Sequence, residues 1–142
     1  MKSKRALAAA VLATLCLSAA IGSARADVVL DWNATAAALP IAVPPIHARV
    51  MATMHGAMHD AINSIEPQHE TYRFPVEAAP SASKDAAAAT AAHAVLAALV
   101  PAQKAALDIT LAQSLAKISD GRSKADGIAV GKAVAERMLA WR

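Results

Sequence analysis

Apolar residues recur along most of this chain at helical spacing. A short apolar start, Val28-Val29-Leu30, leads to Asp31, placed to cap a brief helix from Asn33 to Leu39 before Pro40 interrupts it. Pro44-Pro45 then pre-set the opening of a second helix, in which Val50 or Met51, Met54, Met58, Ala61, Ile62 and Ile65 share a face. It is expected to stop between Asn63 and Pro67. From Glu66 to Ser83, Pro67, Pro75 and Pro80 give turn chemistry without periodicity, which reads as a surface crossing. Ser81 or Ser83 opens a third helix whose buried stripe is Ala89, His93, Leu96 and Leu99 or Val100. Pro101 stops that helix and suits the first turn of a fourth, with Leu107, Leu111, Leu115 and Ile118 on one face. Asp120-Gly121 makes the next turn, and a fifth helix runs from about Ser123 with Ile128, Gly131, Val134, Met138 and Trp141 on one side. The pattern predicts an all-α, alanine-rich bundle of four to five helices. Trp141-Arg142 falls inside an uncapped pattern, so the helices are expected to be the leading part of a larger bundle, cut short by truncation, a frameshift or a partial gene record.

Ahead of these helices, Lys2, Lys4 and Arg5 precede an uncharged run from Ala6 to Ile21. Ala24-Arg25-Ala26 then supplies a small-x-small site before Asp27. Residues 1–26 therefore read as a cleavable secretory signal peptide, because the uncharged run is shorter than the roughly 20 apolar residues a membrane span needs. The helical domain is then 27–142, exported to the periplasm or the extracellular space, with no membrane association after cleavage.

Removal of that leader changes the charge. The chain has 14 Lys and Arg against 11 Asp and Glu, a formal charge of +3. Lys2, Lys4, Arg5 and Arg25 leave with the signal and no acidic residue does, so the mature part carries 10 basic and 11 acidic residues and a formal charge of −1. The basic pI belongs to the leader, and nucleic-acid binding loses its electrostatic motive. Cys16 leaves as well, which excludes a disulfide or a cysteine-bearing metal site in the mature part. The abundant alanine favours helix and close axis approach but buries little area per residue, so the core is expected to be thin.

Candidate chemistry is sparse. His55 and His59, spaced i, i+4, put two imidazoles on one helix face, as a metal site would. Gly56 stands where the zinc-protease pattern needs its glutamate base, and a third ligand would have to come from Asp60 or His69. The reading preferred for both histidines is hydrogen bonding at a helix interface. Asp60 is expected to pair with Arg49 or cap a neighbouring helix, His93 to be a packing histidine, and Met51, Met54 and Met58 to be core rather than a copper site. His47 and Arg49, after the double proline, face either solvent or a partner. No Gly-x-Ser-x-Gly elbow and no glycine-rich phosphate loop occur, and Ser64, Ser114 and Ser119 lack companion motifs. No residue is assigned a catalytic, cofactor-binding or metal-binding role.

Val29-Leu30-Asp31-Trp32-Asn33, Pro44-Pro45 with Ala48-Arg49, and the stretch Met54-His55-Gly56-Ala57-Met58-His59-Asp60-Ala61-Ile62-Asn63 together carry a resemblance. Ala91-Ala92-His93-Ala94-Val95-Leu96, Pro101-Ala102-Gln103, the Leu107 to Ile118 helix and Asp120-Gly121 followed by Ala125 to Gly131 extend it. The chain resembles the N-terminal region of secreted vanadium-dependent haloperoxidase-like proteins of the type 2 phosphatidic-acid phosphatase superfamily. The resemblance implies an all-α architecture whose oxyanion chemistry lies in later elements: a Lys and Arg element ending in Arg-Pro, a Pro-Ser-Gly-His element and an Arg-x-x-x-Gly-x-His element. None of the three occurs here, so vanadate is implied only for a full-length relative and a C-terminal catalytic region is the implied partner. Two other expectations stand beside this one: an autonomous exported helical binding or scaffolding module, and a weak metal binder using His55 and His59.

Overall fold

A computed structural model describes residues 27–141; the leader read at Met1 to Ala26 and the terminal Arg142 lie outside the described residues. The elements are α1 (Val28–Ala37), α2 (Pro44–Ile65), α3 (Lys84–Leu99), a 3-10 turn (Pro101–Gln103), α4 (Lys104–Ala116) and α5 (Arg122–Ala140), with no strand among the described residues. The protein is all-α, and each of the five sequence patterns corresponds to one helix.

The helix ends follow local chemistry. Pro44 and Pro45 occupy the first turn of α2, where a missing N–H costs nothing. The Ser83 side chain caps α3 by accepting from Ala86 N. Gly121, at φ 145°, makes the turn into α5 in a region of backbone space that residues with a Cβ rarely occupy. The first helix departs from expectation. Asp27, not Asp31, is the N-cap, its Oδ1 accepting from Val29 N at 2.9 Å, and the helix starts at Val28 rather than Asn33. The β-branched run Val28-Val29 is helical because the cap is satisfied there and because Trp32 and Ala36, one turn apart, are both fully buried.

α3 is the hub: it packs against α5, α2, α4 and α1. The single stripe expected of it is replaced by burial on nearly all sides, from Ala86 through Ala92 and again at Val95 and Leu96, while His93, Leu99 and Val100 are only partly covered. A helix coated in alanine offers a small apolar surface in every direction, so several neighbours can close on it at once. The large buried side chains come mainly from those neighbours: Trp32 from α1, Met54 and Met58 from α2, Leu107 from α4, and Val134 and Met138 from α5. In α5 the core face is Gly127, Val130, Gly131, Val134, Ala135 and Met138; Ile128 is half-buried and Trp141 exposed, against the expected placing. α4 follows its expected face only weakly, with Leu107 buried and Leu111, Leu115 and Ile118 half-covered.

The tightest contact is between α3 and α5. A Cβ at Gly127 would sit 2.3 Å from the Ser83 carbonyl oxygen, and one at Gly131 would sit 2.4 Å from that of Ala87. Ser83 N also donates to Ser123 O at 2.9 Å, joining the two helix starts directly. Gly131→Ala is therefore expected to destabilise the fold by about 2 kcal/mol in urea unfolding. The overpacking penalty outweighs the roughly 0.5–1 kcal/mol that alanine ordinarily gains over glycine in a helix. At Gly56 a Cβ would meet the ring of the exposed Tyr72 at 3.0 Å and the end of the Met138 side chain at an ordinary 3.4 Å, so Gly56→Ala should cost clearly less because that ring can swing away.

Candidate functional site

The polar residues of α2 converge on the segment between α2 and α3, residues 66–83, which crosses the bundle as a strap. Asp60 organises it. Its carboxylate is fully buried and accepts three successive backbone N–H groups, Tyr72 N at 2.7 Å on Oδ1 and Arg73 N at 2.9 Å and Phe74 N at 2.7 Å on Oδ2. The expected pairing with Arg49 is not formed; an interior carboxylate is satisfied as well by backbone donors as by a cation, and here the strap supplies them. One turn on, Asn63 Oδ1 accepts from Gln68 N and His69 N, both at 3.0 Å, while its Nδ2 donates to His69 O at 2.8 Å. Ser64 Oγ donates to Asp60 O and accepts from Val76 N at 3.1 Å.

The strap in turn holds the end of α5. Phe74 meets Trp141 edge-on at 6.1 Å between ring centres, the Arg73 guanidinium lies 4.5 Å from the Trp141 ring centre, and Arg137 Nη1 donates to Pro75 O at 2.8 Å. Stacking on cationic and aromatic neighbours explains why Trp141 keeps a fixed place while half its surface faces solvent.

The histidines work as donors across interfaces. His47 Nε2 donates to Ala36 O at the end of α1 at 2.9 Å, His55 Nε2 to Asn33 Oδ1 at 3.0 Å, and His59 Nε2 to Glu70 O at 3.0 Å. Carbonyl oxygens cannot donate, so the proton sits on Nε2 in each neutral ring. His55 thus ties α2 to α1, while His59 ties α2 to the strap, where it also stacks on His69 at 6.3 Å. The i, i+4 spacing places His55 and His59 on one face as expected but sends their Nε2 atoms to different acceptors. Among the described residues no three His, Cys, Asp or Glu side chains converge as metal ligands would.

His93 packs edge-on against Trp32 at 6.4 Å and donates through Nε2 to Asp108 Oδ1 at 2.7 Å, joining α3 to α4. Lys104 Nζ holds the same carboxylate at 2.7 Å. The sequence reading gave His93 its packing role but not this link, whose signal was the Lys104 and Asp108 pair at i, i+4. Two buried polar atoms, Trp32 Nε1 and Thr90 Oγ1, have no hydrogen-bond partner among the described residues. No described helix is long and apolar enough to cross a membrane. Comparison of the chain with protein-family models, curated proteins and solved structures finds no match.

Two expected outcomes test these arrangements. Asp60→Ala leaves three backbone donors facing apolar surroundings and should lower unfolding free energy by about 3 kcal/mol or more, with Asp60→Asn intermediate. Amide exchange at Tyr72, Arg73 and Phe74 should accelerate in both variants. The Asp108 carboxyl is held below the usual carboxylate range, first by the Lys104 hydrogen bond and then by that of His93. A carboxyl depressed by folding stabilises the fold above its unfolded value and loses that contribution as pH falls through its folded one. In side-chain carbon NMR, Asp108 should therefore titrate below an ordinary aspartate, and Lys104→Met should move its midpoint upward.

Proposed function

We propose that this chain is the leading, non-catalytic helical part of an exported protein of the vanadium haloperoxidase-like and acid phosphatase-like kind, acting as a scaffold for a separate oxyanion-binding region. The observation that carries this reading is the use made of the stretch from Met54 to Asn63, on which the sequence resemblance mainly rests. Its polar side chains are engaged as clamps: His55 to α1, His59 and Asp60 to the strap, and Asn63 to the strap's first turn. A pocket for a tetrahedral anion needs several cations converging on one point. Here Lys84 is paired with Glu66, Lys104 with Asp108, Lys117 with Asp31, Arg122 with Asp126 and Lys124 with Asp120.

Export follows from the leader read at Met1 to Ala26. Asp27, the first residue after the small-x-small site, is also the N-cap of α1, so cleavage there leaves the first helix with its capping side chain. A second reading, an autonomous exported helical module, is favoured by the continuous core that all five helices build around α3. A cooperative thermal transition of the purified mature protein supports that binding or scaffolding module, whereas a molten, dye-binding species supports the reading as a leading fragment.

The purified protein should neither hydrolyse a phosphomonoester nor oxidise bromide with peroxide and vanadate, and turnover in either assay defeats the scaffold reading. DNA beyond the Arg142 codon should encode, in some frame, the Arg-Pro, Ser-Gly-His and Gly-x-His elements; their absence defeats it equally. N-terminal sequencing of the exported product should begin at Asp27.

A further inference from the structure

We infer that the cleft between α2 and the strap is a recognition site for a compact organic cation, an alkylammonium or alkylguanidinium group. The cleft is about 550 Å³, with His55, Gly56 and His59 on its helix side and Glu70, Thr71 and Tyr72 on its strap side. Its chemistry is one-sided. No lysine or arginine lines it, and its one carboxylate is Glu70, exposed and in no ion pair among the described residues.

The two imidazoles reinforce that sign. Each has spent its Nε2–H on a structural acceptor, His55 on Asn33 and His59 on the Glu70 carbonyl, so neither Nε2–H is free to hold an anion in the cleft. The aromatic element is Tyr72, whose ring lies against α2 where Gly56 has no side chain and is still 59% exposed. A carboxylate and an open aromatic ring suit a cation, and a guanidinium sheds water more readily than an ammonium while stacking on such a ring. An anion would meet Glu70 repulsion with only the Thr71 and Tyr72 hydroxyls as side-chain donors. A transition metal would need a third ligand, and no such triad converges here.

The test is a titration of the isotope-labelled full chain with n-butylguanidinium and with its neutral isostere n-butylurea, read by amide shifts. The guanidinium should give saturable shifts at Gly56, Thr71 and Tyr72, with a dissociation constant in about the millimolar range, and the urea should not. Glu70→Gln should weaken binding by about threefold or more, and Tyr72→Leu by a similar factor. Glu77→Gln, on the same strap but outside the cleft, should leave it unchanged. Both glutamates are exposed, so the variants should keep the parent amide spectrum elsewhere. Absence of saturable shifts, equal shifts with the urea, or undiminished binding in Glu70→Gln overturns the assignment. A second arm, acetyl-Ala-Arg-Ala-amide, separates the sources. Tighter binding than butylguanidinium assigns the site to an arginine of a partner protein, and equal binding assigns it to a free small cation.

Discussion

Backbone-to-backbone proximity between α3 and α5 is the constraint on which the rest of the bundle depends. With glycines at 127 and 131 facing the carbonyl oxygens of Ser83 and Ala87, the two helices approach to a distance that no Cβ on α5 could share. That approach is possible only because α3 is also sheathed in alanine, and it compensates for the small area each alanine buries. The neighbours then supply the volume: Trp32, Met54, Met58, Leu107 and Met138 fill the space around a thin axis. Methionine suits this role, since its unbranched chain adapts to gaps left by small residues. A Leu-rich α3 would push every surrounding helix outward and open the Ser83 to Ser123 link that joins the starts of α3 and α5.

The second constraint is electrical. A fully buried carboxylate at Asp60 would be costly alone, but three consecutive strap N–H groups surround it and need an acceptor in their turn. Each side resolves the other's desolvation, which fixes the path of a proline-rich segment that has no regular structure of its own. The consequence reaches across the molecule, because Phe74 and Arg73, placed by Asp60, receive Trp141, and Pro75 receives Arg137. The position of the α5 end is therefore set from α2 by way of a loop.

Helix number and order were legible in the sequence because prolines 44 and 101, Ser83 and Gly121 punctuate it through backbone chemistry that acts locally. The α2 face was legible because Met54, Met58 and Ile65 are large enough to declare a side. The α3 face was not: when nearly every position is alanine the period vanishes, and burial on all sides looks like burial on none. The start of α1 was misplaced because Asp31 has the chemistry of a cap as well, and only the cap at Asp27 with Trp32 docked in the core decides between them. The Asp60 clasp could not be read from spacing, since its partners are backbone groups 12 to 14 residues away that carry no side-chain signature. Buried aspartate followed by Asn63 and Ser64, ahead of a proline-rich crossing, is nevertheless the composition such a clasp requires.

Polar side chains that build a fold differ from those that perform chemistry in how their bonding capacity is spent. Asp60 uses both carboxylate oxygens on the strap, and Asn63 uses both ends of its amide. His47 and His59 commit Nε2–H to main-chain carbonyls. A catalytic group must hold capacity in reserve, aimed at a place where a reacting atom can arrive. Along α2, His55 and His59 flank Gly56 beneath the open ring of Tyr72, with Glu70 opposite.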